Sequence, residues 1–311
     1  MPYVICRILA ISIFFAALSP GGLARSADRV AQVGFADIVS AFDQAILQGQ
    51  SRVSKWPLDR VLRVKVTASL GTTETQALKD AIGMLDRQTR LTVRRDDRAS
   101  EAELIVELVD GLGMRGVGIH NVGRTHSSYE GASGEMQVAT ISLARDWAHR
   151  NSNLIHRTLP HEMLHAVGFH GHAPDGFDSV MTAVGGGEKP TAWDLLFLKV
   201  LYDERLRLGT PRIFALPIAC RLLHERLVAE HSASVSDLRP GVGPHPHCAD
   251  LASRPVESNV DGQRGSLAWA YLHGLGVARD LDEAEKWARR AKAEGDRNAD
   301  YLLYRIEQTK R

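Results

Sequence analysis

Two histidines four residues apart, the first followed at once by a glutamate, constrain this chain more than any other feature: His161-Glu162-Met163-Leu164-His165. Residues at i and i+4 share one face of an α-helix, about 5–6 Å apart at Cβ. A helix therefore lets both imidazoles reach a single point. Neutral imidazole is a preferred ligand of Zn2+, at ~2.0–2.1 Å. Glu162 lies beside the first histidine but turned away from direct coordination, where a carboxylate can accept a proton from water activated by the metal. The same five residues can also arise by accident on an ordinary surface helix, since the chain holds 13 histidines. The residues that follow decide between these readings.

Gly168 comes three residues after His165 and can take φ > 0 to end the helix. The chain then offers His170 and His172, and later Asp178-Ser179-Val180-Met181. A third histidine arriving after such a turn leaves one position open for water, as in catalytic zinc sites. From about Ile155 to Tyr202 the sequence resembles the metzincin clan of zinc peptidases. Their pattern is H-E-x-x-H-x-x-G-x-x-H, then a methionine-containing turn, then a C-terminal helix. The resemblance implies His161 and His165 as ligands, Glu162 as the catalytic base and Met181 as the residue of the turn. It also implies a mixed sheet carrying an active-site helix.

The match has one departure. The family's third histidine falls at Gly171, with His170 one residue early and His172 one late. His172 is preferred because a glycine turn absorbs an insertion easily and because it stands close to family spacing from Met181. His170 is the alternative third ligand, or else a residue supporting the ligands. Asp175 and Asp178 are weaker candidates. The tyrosine ligand of some relatives is absent, its place being Ala183.

Around this motif, Phe35 to Leu47 has helical spacing and Leu62 to Val66 alternates as a strand. Thr73 to Thr89 reads as a helix with a threonine cap. Leu91–Val93 and Ala102–Val109 read as two further strands, so a sheet with a helix on one face is expected. Gly111 to Gly134, with seven glycines, reads as a long functional loop bordering the substrate cleft. His120 and His126 within it lack the spacing of a second metal site. Met136 to Leu143 returns to the sheet as an edge strand. Pro160 suits the first turn of the motif helix, with Thr158 as its cap, or else kinks a longer helix beginning near Asn153. Trp193 to Tyr202 forms a closing helix.

The ends of the chain differ from this middle. Arg7, the apolar run Ile8 to Leu18 and the small residues around Ala24 to Ala27 fit a cleaved secretory signal, residues 1–27. Eleven residues are too few to cross a bilayer, which takes about 20. A secreted or periplasmic location follows, with no membrane span after cleavage. Cys220 and Cys248 are then the cysteines left, and an oxidising compartment makes a disulfide between them the expectation. A formal net charge of +1 gives no electrostatic reason to expect nucleic acid as a partner.

Residues 28–210 are thus read as the zinc peptidase domain and 211–260 as a connector carrying the disulfide, with a helix over Ile218–Glu230. Residues 261–311 hold two helical patterns separated by Gly274-Leu275-Gly276-Val277. Gly265 to Leu272, Gly274 to Asp280 and the alanines and Trp287 of the second helix resemble the Sel-one-like repeat. One such unit needs a neighbour to cover its exposed face. It either caps the catalytic domain or binds a protein partner. The fold class expected is α+β followed by a small all-α module. The function expected is hydrolysis of a peptide or protein substrate. The rivals are an exported zinc-binding scaffold and a structural zinc site closed by both His170 and His172.

Overall fold

The computed structural model describes residues 9–12, 33–110, 122–130, 133–145, 152–183, 187, 189–230, 235, 237–238, 245–253 and 264–311. Its strands are β1 Leu9–Ser12, β2 Val61–Val66, β3 Thr92–Arg95, β4 Leu104–Val109, β5 Gly123–Tyr129 and β6 Met136–Ala144. They form one six-stranded sheet in the order β1-β5-β6-β4-β2-β3. β3, β2, β4 and β6 run parallel to one another, and β5 is antiparallel to both of its neighbours, β6 and β1. The helices are α1 Phe35–Phe42, α2 Thr72–Gln88, α3 Ser152–His165, α4 Ala192–Leu201, α5 Arg212–Ala229, α6 Pro246–Ser253, α7 Arg264–His273, α8 Leu281–Ala293 and α9 Ala299–Lys310. A mixed sheet with several helices agrees with the α+β expectation.

Local chemistry explains most elements. β2 alternates, burying Leu62, Val64 and Val66 and turning Arg63 and Lys65 outward. α2 buries Ala77, Leu78, Ala81 and Leu85 at helical spacing. Its N-cap is Gly71, without a side-chain bond, rather than a threonine. Thr191 does cap α4, in a capping box with Asp194.

Four expectations change. The glycine-rich stretch contains β5 rather than loop throughout, although His120 lies outside the described residues. β6 is interior, between β5 and β4, because β5 pairs along the side expected to be an edge, and β1 lies beyond β5. Of the two readings of Pro160 the longer helix holds, since α3 starts at Ser152 with Pro160 inside it, and the Thr158 cap is what changes: that residue is buried within the helix. The C-terminal region holds a third helix, α9, whose Leu302 and Ile306 complete a small core with Leu267 and Trp287.

Two other findings bear on the chain's ends. Leu9–Ser12, inside the stretch expected to be removed, pairs with β5 from Leu9↔Ser127 to Ser12↔Arg124. Residues 211–260, read as a connector, contribute α5, whose Ala215, Ala219, Leu222 and Leu223 are buried in the main core. Ile213 and Phe214 at the start of the same helix pack against the C-terminal core. The expected disulfide Cys220–Cys248 is present and joins α5 to α6. It closes a loop across a sequence separation of 28 residues, a constraint on the unfolded chain of about 3–4 kcal/mol in the entropy model. Replacing both cysteines with Ser should lower the unfolding free energy by about that amount, read from urea midpoints. An unchanged midpoint would mean that the α5–α6 packing alone holds this region. Among the described residues, no helix is long and apolar enough to cross a membrane.

Residues 51–56 form a strap that crosses the molecule between α1 and β2. Val53 N donates to Thr210 O at 2.8 Å and Gly209 N donates to Val53 O at 2.9 Å. Trp56, fully buried, donates from Nε1 to Ala166 O at 2.9 Å. Lys55 is also buried, and its Nζ donates to Leu201 O and Leu206 O at 2.6 Å each. Burial pushes this ammonium down to about 7 against the pull of Asp203, while its two carbonyl acceptors favour the charged form.

Candidate metal centre

α3 delivers His161 and His165 from one face, as their spacing requires, and both rings are buried. His161 Nδ1 lies 2.7 Å from Val180 O, and His165 Nδ1 lies 2.5 Å from Phe169 O. A carbonyl oxygen can only accept, so each Nδ1 carries the proton and each neutral ring has a bare Nε2. Those two Nε2 atoms face each other at 3.1 Å. Two lone pairs at that distance repel unless a cation lies between them.

His172 completes the group. Ligand atoms of His161, His165 and His172 all lie within 4.8 Å of one another, and among the described residues this is the one such group of His, Cys, Asp or Glu. The His172 ring centre is 5.3 Å from that of His161 and 5.0 Å from that of His165. Its Nε2 is buried without a hydrogen-bond partner. Burial pushes His161 down to about 3, reinforced by His172, and lowers His165 and His172 as well. Neutral, inward-facing and unpartnered nitrogens are what a metal ion requires of a three-histidine set. The residues present fit such an ion.

His170 stands elsewhere. Its Nε2 lies 3.1 Å from Ser54 O in the strap, and its ring meets Tyr129 edge-on with centres 6.1 Å apart. Burial pushes it down to about 4. The register departure now has a physical reason. A Cβ built on Gly171 would lie 2.1 Å from Gln44 O, while Gly171 N donates to Ala45 O at 3.0 Å. No side chain fits at position 171, so a third ligand from this turn must come from another position.

Glu162 is fully buried on the next flank of α3. Its Oε2 accepts from Thr125 Oγ1 at 2.7 Å, and its Oε1 is buried with no hydrogen-bond partner. Burial raises its carboxyl to about 8, opposed by the Thr125 bond and by Arg124. Thr125 belongs to β5, which also supplies Gly123, where a Cβ would lie 2.9 Å from Glu162 Cγ. Both residues fall in the stretch read as loop, and no motif marks them.

Met181 is fully buried, and its carbonyl accepts from Ala173 N at 3.0 Å. The methionine turn is thereby tied to the residue after His172. Asp194 anchors that turn from α4: its Oδ2 accepts from Val180 N at 2.9 Å, and its Oδ1 accepts from Ser179 Oγ. Val180 O in turn accepts from His161 Nδ1, so Asp194 orients His161 through the backbone of one residue, Val180. The Thr191-x-x-Asp194 spacing, a capping box, was the available signal for it. Asp175 and Asp178 do not belong to the three-histidine group. His126 lies on β5, and His120 is not described.

No family model matches the chain, and no curated protein matches it. Among solved structures, the crystal structure of myroilysin is similar over 58% of this chain and 100% of that one, with TM-score 0.34 and 16% identity. A likeness that low carries no argument, and the site stands on its own geometry.

Proposed function

We propose that this chain is an exported zinc-dependent peptidase of metzincin-like type, with His161, His165 and His172 as ligands and Glu162 as general base. One observation carries the reading: two bare Nε2 atoms facing at 3.1 Å, their Nδ1 protons committed to carbonyls. Zn2+ suits an all-imidazole set and leaves a position open. When bound, it supplies Lewis-acid polarisation of a scissile carbonyl and makes water more acidic.

The chain's own residues do the rest. Glu162 takes a proton from the attacking water at Oε1 and returns it to the amine as the C–N bond breaks. Water's oxygen ends in the new carboxyl group, so the atoms balance. Thr125 holds Oε2 and keeps the carboxylate from rotating. Burial strengthens each of these interactions by lowering the local dielectric. A peptide or protein is the proposed substrate. The C-terminal helices are proposed to be a Sel-one-like unit that packs on α5 and offers its outer face to a protein partner.

The test is metal content together with turnover. Purified protein should bind one Zn2+ per chain and cleave members of a mixed peptide library. A chelator should abolish cleavage, and added zinc should restore it. Protein that binds one zinc yet cleaves nothing across the library would favour the zinc-binding scaffold over the enzyme.

A further inference from the structure

His170 is buried beside the metal group but has no role in the proposed chemistry. The turn from Gly168 to His172 meets the strap at the Ser54 carbonyl oxygen. His170 Nε2 lies 3.1 Å from it, and a Cβ built on Gly168, whose φ is +108°, would lie 2.7 Å from it. A carbonyl accepts, so His170 donates.

That oxygen is a fixed point. Val53 on one side is bonded to Gly209 and Thr210, and Lys55 and Trp56 on the other are bonded to Leu201, Leu206 and Ala166. Up to Phe169 the turn is held to α3: Gly168 N donates to His165 O and Phe169 N to Leu164 O, both at 3.1 Å, and the Phe169 side chain is buried in the core. Beyond Phe169, where the chain carries His172, Gly171 has no side chain to pack, and its N–H donates to Ala45 O at 3.0 Å before Ala173 is reached. Conformational freedom left in this turn would have to be lost each time a metal binds.

We propose that His170 is a positioning residue whose bond to the Ser54 carbonyl locks the turn onto the strap and so places His172 against His161 and His165. The inference rests on the metal-site reading above. It assigns the two off-register histidines different jobs: His172 faces the metal group, and His170 holds the backbone that carries it.

The experiment compares wild type, His170→Ala, His170→Gln and His172→Ala in the full chain. Zinc affinity is read by competition with a chromophoric chelator, and the donor set by the visible spectrum of the cobalt-loaded protein. His170→Ala should bind zinc about 10–100-fold more weakly, the usual cost of removing a group that orients a ligand. Its cobalt band shape should match wild type, because the donors are unchanged. His170→Gln, whose amide can donate to Ser54, should recover most of the affinity. His172→Ala should alter the band shape. If His170→Ala does not fold, His170→Asn replaces it, since its shorter amide cannot reach. Unchanged affinity in the shortened variant, or no recovery in His170→Gln, overturns the positioning role alone. A cobalt spectrum altered as in His172→Ala would make His170 a ligand and overturn it too. Wild type that binds no metal overturns the functional reading as well.

Discussion

Glu162→Gln is expected to keep its metal and to lower peptide turnover by about 100- to 10,000-fold, the usual contribution of a general base. The substitution preserves shape in a site with no spare room. Gly123 approaches so closely that a single added carbon would crowd Glu162 Cγ at 2.9 Å. The amide oxygen of Gln can accept the Thr125 hydroxyl proton as Oε2 does now, at 2.7 Å. The amide cannot take a proton from water at neutral pH. Zinc content by atomic absorption and kcat on a cleaved library peptide separate binding from chemistry. Full turnover in a zinc-loaded Glu162→Gln protein would place the base elsewhere. Loss of zinc would instead show that the carboxylate helps hold the metal.

Gly171→Ala is expected to lower stability by about 1–3 kcal/mol through overpacking and to weaken zinc binding by more than 100-fold. The new Cβ would stand 2.1 Å from Gln44 O and 2.5 Å from Gln48 Oε1. Gln48 can swing aside, but the Gln44 carbonyl is backbone in the π turn Asp43–Leu47. The turn must therefore withdraw, breaking Gly171 N to Ala45 O and carrying His172 away from the other two histidines. Gly176→Ala is the control. Its φ is +83° with nothing within 4 Å, so it carries backbone strain without a clash and lies beyond the ligands. Urea midpoints and chelator competition on both variants check the comparison. Wild-type zinc affinity in Gly171→Ala would sink the idea that close packing at this position sets the ligand register.

The legible parts of this protein were those whose signal is local. His161, Glu162 and His165 could be read because helical geometry alone fixes how residues one and four apart are oriented. β2, α2 and β4 could be read because burial on one face leaves a period of two or of 3.6 in the sequence. The Cys220–Cys248 pair followed from having two cysteines left once an oxidising compartment was assumed. β5 escaped notice because Gly123-Arg124-Thr125-His126-Ser127-Ser128-Tyr129 buries only Gly123 and Thr125 well, so it has almost no apolar alternation to reveal. α5 was partly seen as a helix, but its burial in the main core depends on partners far away in sequence.

What the sequence determined by itself is the chemistry available in one helix: two imidazoles and a carboxylate with fixed relative directions. Tertiary structure decided the rest of the site. It placed His172, and not His170, beside His161 and His165: the Gln44 carbonyl leaves no space for a side chain at Gly171, and the Ser54 carbonyl engages the His170 ring. It also protonated both Nδ1 atoms through Val180 and Phe169, and it gave Glu162 the hydroxyl of Thr125 from 37 residues upstream. Each of these depends on an oxygen brought from another segment, and distance across a fold is not encoded in the spacing of residues along the chain.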